Sequence, residues 1–279
     1  MAEARITSTK AFLGYIILSL GIGVIGNLPW VFSSYGLFPQ EAVGIFMLIG
    51  GGSPTIAAVI IMYLQFGGDG PKALFGSFKR RFSPIWILIA ILIVVLTFYS
   101  AIIVMNLVTM SDSLPLLDGM LLVLYLFQMF ILNVWEEIGW RSYAQSTLQA
   151  KYNAFISSII VGIIWSVWHI PHFLVYESQM LQIYGSFILF IGHTIAVSII
   201  YTWLFNSSNG NPLTVTFYHA ASNAMGGLIL LGGLIIPEQY TLLINGIIAL
   251  AIILLFKIKS LSKRESVILN DILPRALNE

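Results

Sequence analysis

The chain has 279 residues, of which 58% are hydrophobic and only 9% charged, and its formal net charge is +1. A mean hydropathy of +0.92 excludes a soluble domain with a polar surface. The lack of cysteine excludes a disulfide framework, a thiolate metal site and a cysteine nucleophile, and the charge gives no support for nucleic-acid binding. The composition therefore predicts an all-α, polytopic integral membrane protein.

Long apolar runs predict the membrane spans. A transmembrane helix needs about 20 apolar residues to cross roughly 30 Å of hydrocarbon. The first run is too long for a signal-peptide core, so we expect a retained span. In the second, Gly50, Gly51 and Gly52 before Ser53 and Pro54 predict a break or kink. The eight predicted spans cover approximately 11–32, 42–65, 84–108, 115–137, 154–173, 183–205, 212–234 and 239–257.

The basic residues predict the orientation of this eight-span arrangement. All 13 Lys and Arg residues fall on one side of it, and the opposite loops carry only acids. Because short cytoplasmic loops are enriched in Lys and Arg, both termini are predicted to be cytoplasmic, in the plasma membrane if the protein is prokaryotic. The basic tail after the last span is expected to contact anionic membrane lipids. Residues 1–279 are expected to form a single membrane domain. The basic residues are Arg5, Lys10, Lys72, Lys79, Arg80, Arg81, Arg141, Lys151, Lys257, Lys259, Lys263, Arg264 and Arg275.

Ionisable residues near the middle of the chain lie in or beside predicted spans, where such groups usually serve a function. If Lys151 to Asn153 is the tip of a helical hairpin, Glu136 and His169 lie opposite each other. Keeping His169 in the cytoplasmic half of the membrane requires a break or tilt of the fifth span near Pro171.

Two further polar residues belong to the seventh span. His219 and Asn223 are four positions apart, so they share a helix face. His219 lies roughly 10 Å along the helix from Pro212. We therefore predict an intramembrane cavity in which Glu136 and His169 meet His219 and Asn223.

Such a cluster suits hydrolysis. A carboxylate, Glu136, takes a proton from water that His169 helps to hold, and His219 and Asn223 stabilise the developing oxyanion. Arg141 is four residues after Glu137 and naturally pairs with it. Glu137 and Arg141 are therefore expected to orient the site rather than react.

The motifs resemble those of the CAAX prenyl protease and bacteriocin-processing family of intramembrane proteases, also called Abi or type II CAAX endopeptidases. The resemblance covers about residues 120–235 and implies hydrolysis of a peptide bond in a lipidated or hydrophobic membrane peptide. The aromatic position before the first histidine is usually Phe and is Trp here, a mild departure. The matching residues are Glu136, Glu137 and Arg141, then Trp165 and His169, then His219 and Asn223.

Members of that family have been called metalloproteases. Glu136, His169 and His219 resemble a zinc-binding set of two histidines and a glutamate. We favour a site without a cofactor, because an oxyanion role accounts for Asn223, which would be a poor zinc ligand. Zinc at those three residues is the alternative.

Two other classes of function fit parts of the pattern. A proton-coupled transporter could use the same Glu and His residues as a relay, but no inverted repeat is visible. A catalytically silent immunity or scaffold protein would bind a membrane partner, but the motif set is intact. The sequence does not indicate an oligomeric state. His193 is expected to be a packing residue, and His172 to line the cavity without reacting.

Overall fold

The computed structural model describes residues 8–273, and these form helices and loops without a strand, which confirms the all-α prediction. Polar side chains mark several helix starts: Asn153 accepts from the backbone N–H of Ile156, and Asn211 from that of Leu213. The helices are α1 (Thr9–Ser34), α2 (Gln40–Gly51), α3 (Ser53–Phe66), α4 (Asp69–Gly76), α5 (Ile85–Thr109), α6 (Gly119–Gln149), α7 (Ala154–Trp168), α8 (Ile170–Phe173), α9 (Gln179–Tyr184), α10 (Phe187–Ser207), α11 (Pro212–Leu231), α12 (Glu238–Ser260) and α13 (Leu269–Ile272).

Every predicted span coincides with a helix or with a pair of helices, but the count of eight is not confirmed. By length and apolar composition, five described helices are able to cross a membrane, or six if α2 and α3 form one bent span. Helix α7 has only 15 residues. Helix α11 has 20 residues but carries polar groups such as Thr214, His219 and Asn223. Helix α7 is therefore too short to count as a span, and the polar site residues lower the apolar character of α11.

The predicted break in the second span is confirmed. Helices α2 and α3 meet at Gly52 with a bend of 48°. Gly50 of α2 packs against Gly26 of α1 so closely that a Cβ on Gly26 would overlap the Gly50 backbone. The glycines therefore allow close helix packing beside the bend.

The predicted hairpin of α6 and α7 is present, with two irregularities. Helix α6 becomes π-helical from Ile138 to Gln145, a form often found at functional sites. At the start of that stretch Gly139 packs against the Pro54 carbonyl with no room for a Cβ. Helix α7 ends at Trp168, and His169 is its C-terminal cap, which confirms the break expected near Pro171.

Chain connectivity separates two faces of the helix bundle. The basic face comprises segments 67–84, 150–153, 208–211 and 261–273; here Lys151 donates to Thr9, and Arg80 to the backbone oxygen of Asp271. The acidic face comprises loops 35–39, 110–118, 169–186 and 232–237, where Tyr35 donates to the Leu174 carbonyl. Arg5 and Arg275 lie outside the described residues.

Two residues differ from their expected positions. Arg141, assigned to a loop between spans, is fully buried inside the bundle, because it pairs with an equally buried carboxylate. Glu238, assigned to an acidic loop, is the first residue of α12 and only 3% exposed. Its carboxylate oxygens form hydrogen bonds with His193 and Thr241.

The tail after α12 folds back across the basic face. Leu261 and Leu269 are fully buried. The Gln149 side chain donates to the Val267 carbonyl at 2.7 Å, and the Asn206 side chain accepts from the Val267 N–H at 3.1 Å. We call residues 261–273 the C-terminal strap. It closes the basic end of the bundle.

Candidate active site

Glu136 is held by two uncharged donors. It lies on α6 and is 9% exposed. Asn133, one turn earlier on the same helix, donates to Oε1 at 3.2 Å, and the Trp165 indole of α7 donates to Oε2 at 3.3 Å. These hydrogen bonds orient the carboxylate without pairing its charge.

Glu137, the next residue, faces a different environment. Its Oε2 accepts from Arg141 Nε at 3.0 Å, and its Oε1 lies 2.8 Å from His219 Nδ1. Glu137 and Arg141 are both fully buried. The Arg141 guanidinium also donates to Ser198 at 3.1 Å and lies 5.0 Å from the ring centre of Tyr201. Glu137 therefore ties α6 to α11, and Arg141 ties α6 to α10.

Helix α11 supplies His219 and Asn223, one turn apart. Since Glu137 accepts from Nδ1 of His219, the Nε2 atom of that ring is left for other partners. The Asn223 side chain donates to the side-chain Oδ1 of Asn133 at 3.2 Å. Asn133 thus joins Asn223 to Glu136.

His169 caps the C-terminus of α7. Its Nδ1 lies 2.9 Å from the Trp165 carbonyl oxygen; because a carbonyl only accepts, Nδ1 carries the proton and Nε2 has a free lone pair in the neutral ring. The rings of Trp168 and Phe190 pack at 4.7 Å and 5.0 Å from it. Glu136 and His169 therefore lie on opposite helices of the hairpin, as predicted, and Trp165 contacts both of them.

One cavity of about 400 Å³ brings the four proposed catalytic side chains together. Its wall includes Glu136, His169, His219 and Asn223. Glu137 and Arg141 lie behind that wall, fully buried. The structure thus assembles the predicted cluster, while the roles of its members stay predictions.

The arrangement does not match a metal centre. Among residues 8–273, no three His, Asp or Glu side chains converge closely enough to hold a metal ion. Both oxygens of Glu136 already accept hydrogen bonds from Asn133 and Trp165. The predicted zinc set of Glu136, His169 and His219 shares a cavity but does not form a ligand cluster.

The two remaining histidines also line the cavity. The His172 ring packs between Trp30 and Trp168, at 5.3 Å and 5.7 Å. His193 binds Glu238, with Nδ1 and Oε1 2.6 Å apart.

Sequence reasoning missed three contributors to the site. Asn133 has a detectable signal, because it is a polar residue one turn before Glu136 on the same helix face. Trp165 matches the aromatic position of the family motif, but the motif does not indicate that its indole donates to Glu136. Glu238 is 45 positions from His193, and no local pattern connects them.

The segment that contains this site is similar to known proteases. Residues 118–225 match the family model described as "Type II CAAX prenyl endopeptidase Rce1-like". A protein of Methanococcus maripaludis named CAAX prenyl protease 2 is 32% identical over 102 residues, which cover 35% of this chain and 38% of the relative. The match thus spans less than two fifths of that relative's length. The family resemblance indicated by the motifs is confirmed for the segment that carries the candidate site: it is similar to type II CAAX prenyl endopeptidases.

Proposed function

We propose that this membrane protein is an intramembrane endopeptidase that uses Glu136 as its general base. The observation that carries the proposal is the contrast between adjacent carboxylates. Glu137 is neutralised by Arg141 and fully buried, whereas Glu136 has only uncharged donors and faces a cavity. A carboxylate that forms no direct ion pair and lies beside a cavity is suited to accept a proton from water.

In the proposed reaction, water bound between Glu136 and His169 Nε2 attacks the carbonyl carbon of the substrate peptide bond. Its proton passes to Glu136, and the carbonyl oxygen becomes an oxyanion. Asn223 and the protonated form of His219, through Nε2–H, donate to that oxyanion. Glu136 then delivers the proton to the departing nitrogen as the C–N bond breaks. Glu137 and Arg141 position His219 and do not react.

The proposed chemistry needs no metal. The support is the hydrogen bonding of Glu136, whose oxygens accept from Asn133 and Trp165. In addition, no group of three His, Asp or Glu side chains among residues 8–273 is placed to hold a metal ion. Asn223, which a zinc mechanism would leave unexplained, has a role as an oxyanion donor.

The proposed substrate is a prenylated CAAX-type C-terminus or another hydrophobic membrane peptide. The name of the relative, CAAX prenyl protease 2, favours the former. We further propose that residues 1–279 form one membrane domain with a catalytic core at about 120–235. Its termini would be cytoplasmic, in the plasma membrane if the protein is prokaryotic.

The test is cleavage by the purified protein in detergent of a fluorogenic farnesylated C-terminal peptide and its unprenylated twin, with and without a chelator. We expect Glu136→Ala and His169→Ala to abolish cleavage while their melting temperatures stay near that of the wild type. Resistance to the chelator is expected for the metal-free mechanism. Full turnover by both variants would overturn the proposal, and loss of activity on chelation would overturn its metal-free part.

A further inference from the structure

The cavity-facing side of α11 changes in exposure at the candidate site. Thr214 and Thr216, on the side of the basic face, are fully buried, and His219 is 5% exposed. Ser222 is half-buried, and Asn223 is exposed. Within one helical turn the side of α11 that faces the cavity becomes accessible, while the opposite side of the helix stays buried beyond Asn223.

The part of the bundle between the site and the basic face is closed. Arg141, Ser142 and Gln145 of α6 are fully buried. Beyond them the Gln149 side chain binds both Asn206, at 3.1 Å, and the C-terminal strap. None of these four side chains lines the site cavity or the cavity that adjoins it.

A second cavity extends from the site in the opposite direction. It has a volume of about 430 Å³ and shares Met129, Tyr184, His193 and Asn223 with the first. It continues to Ile235 in the loop between α11 and α12, on the acidic face. We call the two joined cavities the chamber.

The walls of the second cavity are mostly apolar. Gly226 and Gly227, on α11 just beyond Asn223, border it, and a Cβ added to them would contact Phe98 and Tyr125. Methionines from two elements, Met129 of α6 and Met180 of α9, line both cavities. Flexible Met side chains adapt to varied apolar ligands, so the chamber suits an apolar peptide segment.

We infer that the chamber is entered from the acidic face, and that the substrate is an apolar peptide segment presented on that side of the membrane. The position of the entrance stands on burial and cavity shape alone. The identification of this peptide segment as a substrate rests on the proposed function.

The natural absence of cysteine makes the entrance directly testable. Ser222 lines both cavities, is not assigned a catalytic role, and is close in size to cysteine. Single variants Ser222→Cys, Asp112→Cys on the acidic face and Lys72→Cys on the basic face would be treated in sealed vesicles of each orientation with a charged, membrane-impermeant thiosulfonate reagent. Thr214→Cys is the matched buried control on the same helix.

We expect Ser222→Cys to react from the side that labels Asp112→Cys, and Thr214→Cys to stay unlabelled from both sides. Reaction of Ser222→Cys only from the Lys72→Cys side, or from neither side in a variant with the wild-type melting temperature, would overturn the inference. Failure of the proposed function is distinguishable, because it would appear as cleavage independent of Glu136 while the labelling pattern is unchanged.

Discussion

The two halves of the helix bundle differ in how they treat polar groups, and the boundary between them runs between Glu136 and Glu137. Towards the basic face, the charged side chains next to the site are buried and paired, as Glu137 is with Arg141 and His219. Towards the acidic face, polar side chains border a cavity, as Glu136 and Asn223 do. Neighbouring residues of one helix therefore differ in surroundings: Glu137 joins helices, and Glu136 borders the cavity, where the proposed mechanism places the substrate.

This difference explains why the site contains two glutamates. A buried, paired carboxylate costs several kcal/mol to desolvate and recovers this through its partners. Such a group is a poor base, because its charge is already neutralised. Glu137 supplies the rigid support, so Glu136 can remain without a cation.

Glu137→Gln is expected to destabilise the half of the bundle towards the basic face more than any other change considered. The substitution leaves Arg141 buried without its charge partner, which costs about 3–5 kcal/mol of unfolding free energy. We expect a large fall in melting temperature, measured in one detergent. The double variant Glu137→Gln/Arg141→Met should recover part of this loss, because it removes both charges. A single variant as stable as the wild type would contradict the structural role.

Gly139→Ala should disturb the packing beneath the site. A Cβ at this position overlaps the Pro54 carbonyl, and overpacking of this kind costs about 1–3 kcal/mol. Gly51→Ala is the matched control, because a Cβ there meets nothing within 4 Å. Thermal unfolding of both variants checks the prediction, and equal melting temperatures would contradict it.

Asn133→Ala tests the hydrogen bonds that hold Glu136 and Asn223 beside the cavity. The change removes the donor to Glu136 and the acceptor from Asn223, and a hydrogen bond of this kind contributes about 1 kcal/mol. We expect turnover of a cleaved peptide to fall by about fivefold, since about 1.4 kcal/mol of barrier corresponds to a factor of ten. Unchanged turnover would show that Asn133 does not position the carboxylate.

Lys72→Gln should have the smallest effect. Lys72 and Asp69 form an ion pair at 3.0 Å, with side-chain exposures of 79% and 58%. Exposed pairs contribute about 0.2–1 kcal/mol, so the melting temperature should hardly change and should be insensitive to salt. A loss as large as that of Glu137→Gln would remove the distinction between exposed and buried pairs.

Sequence patterns indicate the helices and the site for identifiable reasons. Apolar runs and the triple glycine at Gly50–Gly52 mark the helices and the bend, since both are local properties of the chain. The spacing of His219 and Asn223 gives their shared face through helical periodicity. The hairpin argument brings Glu136 and His169 to one cavity.

Other features depend on contacts between distant segments. The pair of His193 and Glu238 joins two helices, and the C-terminal strap is held by Gln149 and Asn206. The positive-inside rule alone assigns Arg141 to a loop, because the rule counts charge and ignores a buried partner. The number of spans also depends on tertiary packing, which allows the short α7 to lie within the bundle.

The most direct test of the account is the turnover of Glu136→Gln beside its melting temperature, on whichever apolar peptide the wild-type protein cleaves. Loss of a general base lowers rates by about 10²–10⁴-fold. We predict a loss in this range with the wild-type melting temperature. Undiminished turnover, or a fall in stability as large as that of Glu137→Gln, would contradict the division of the two glutamates into a reacting and a supporting residue.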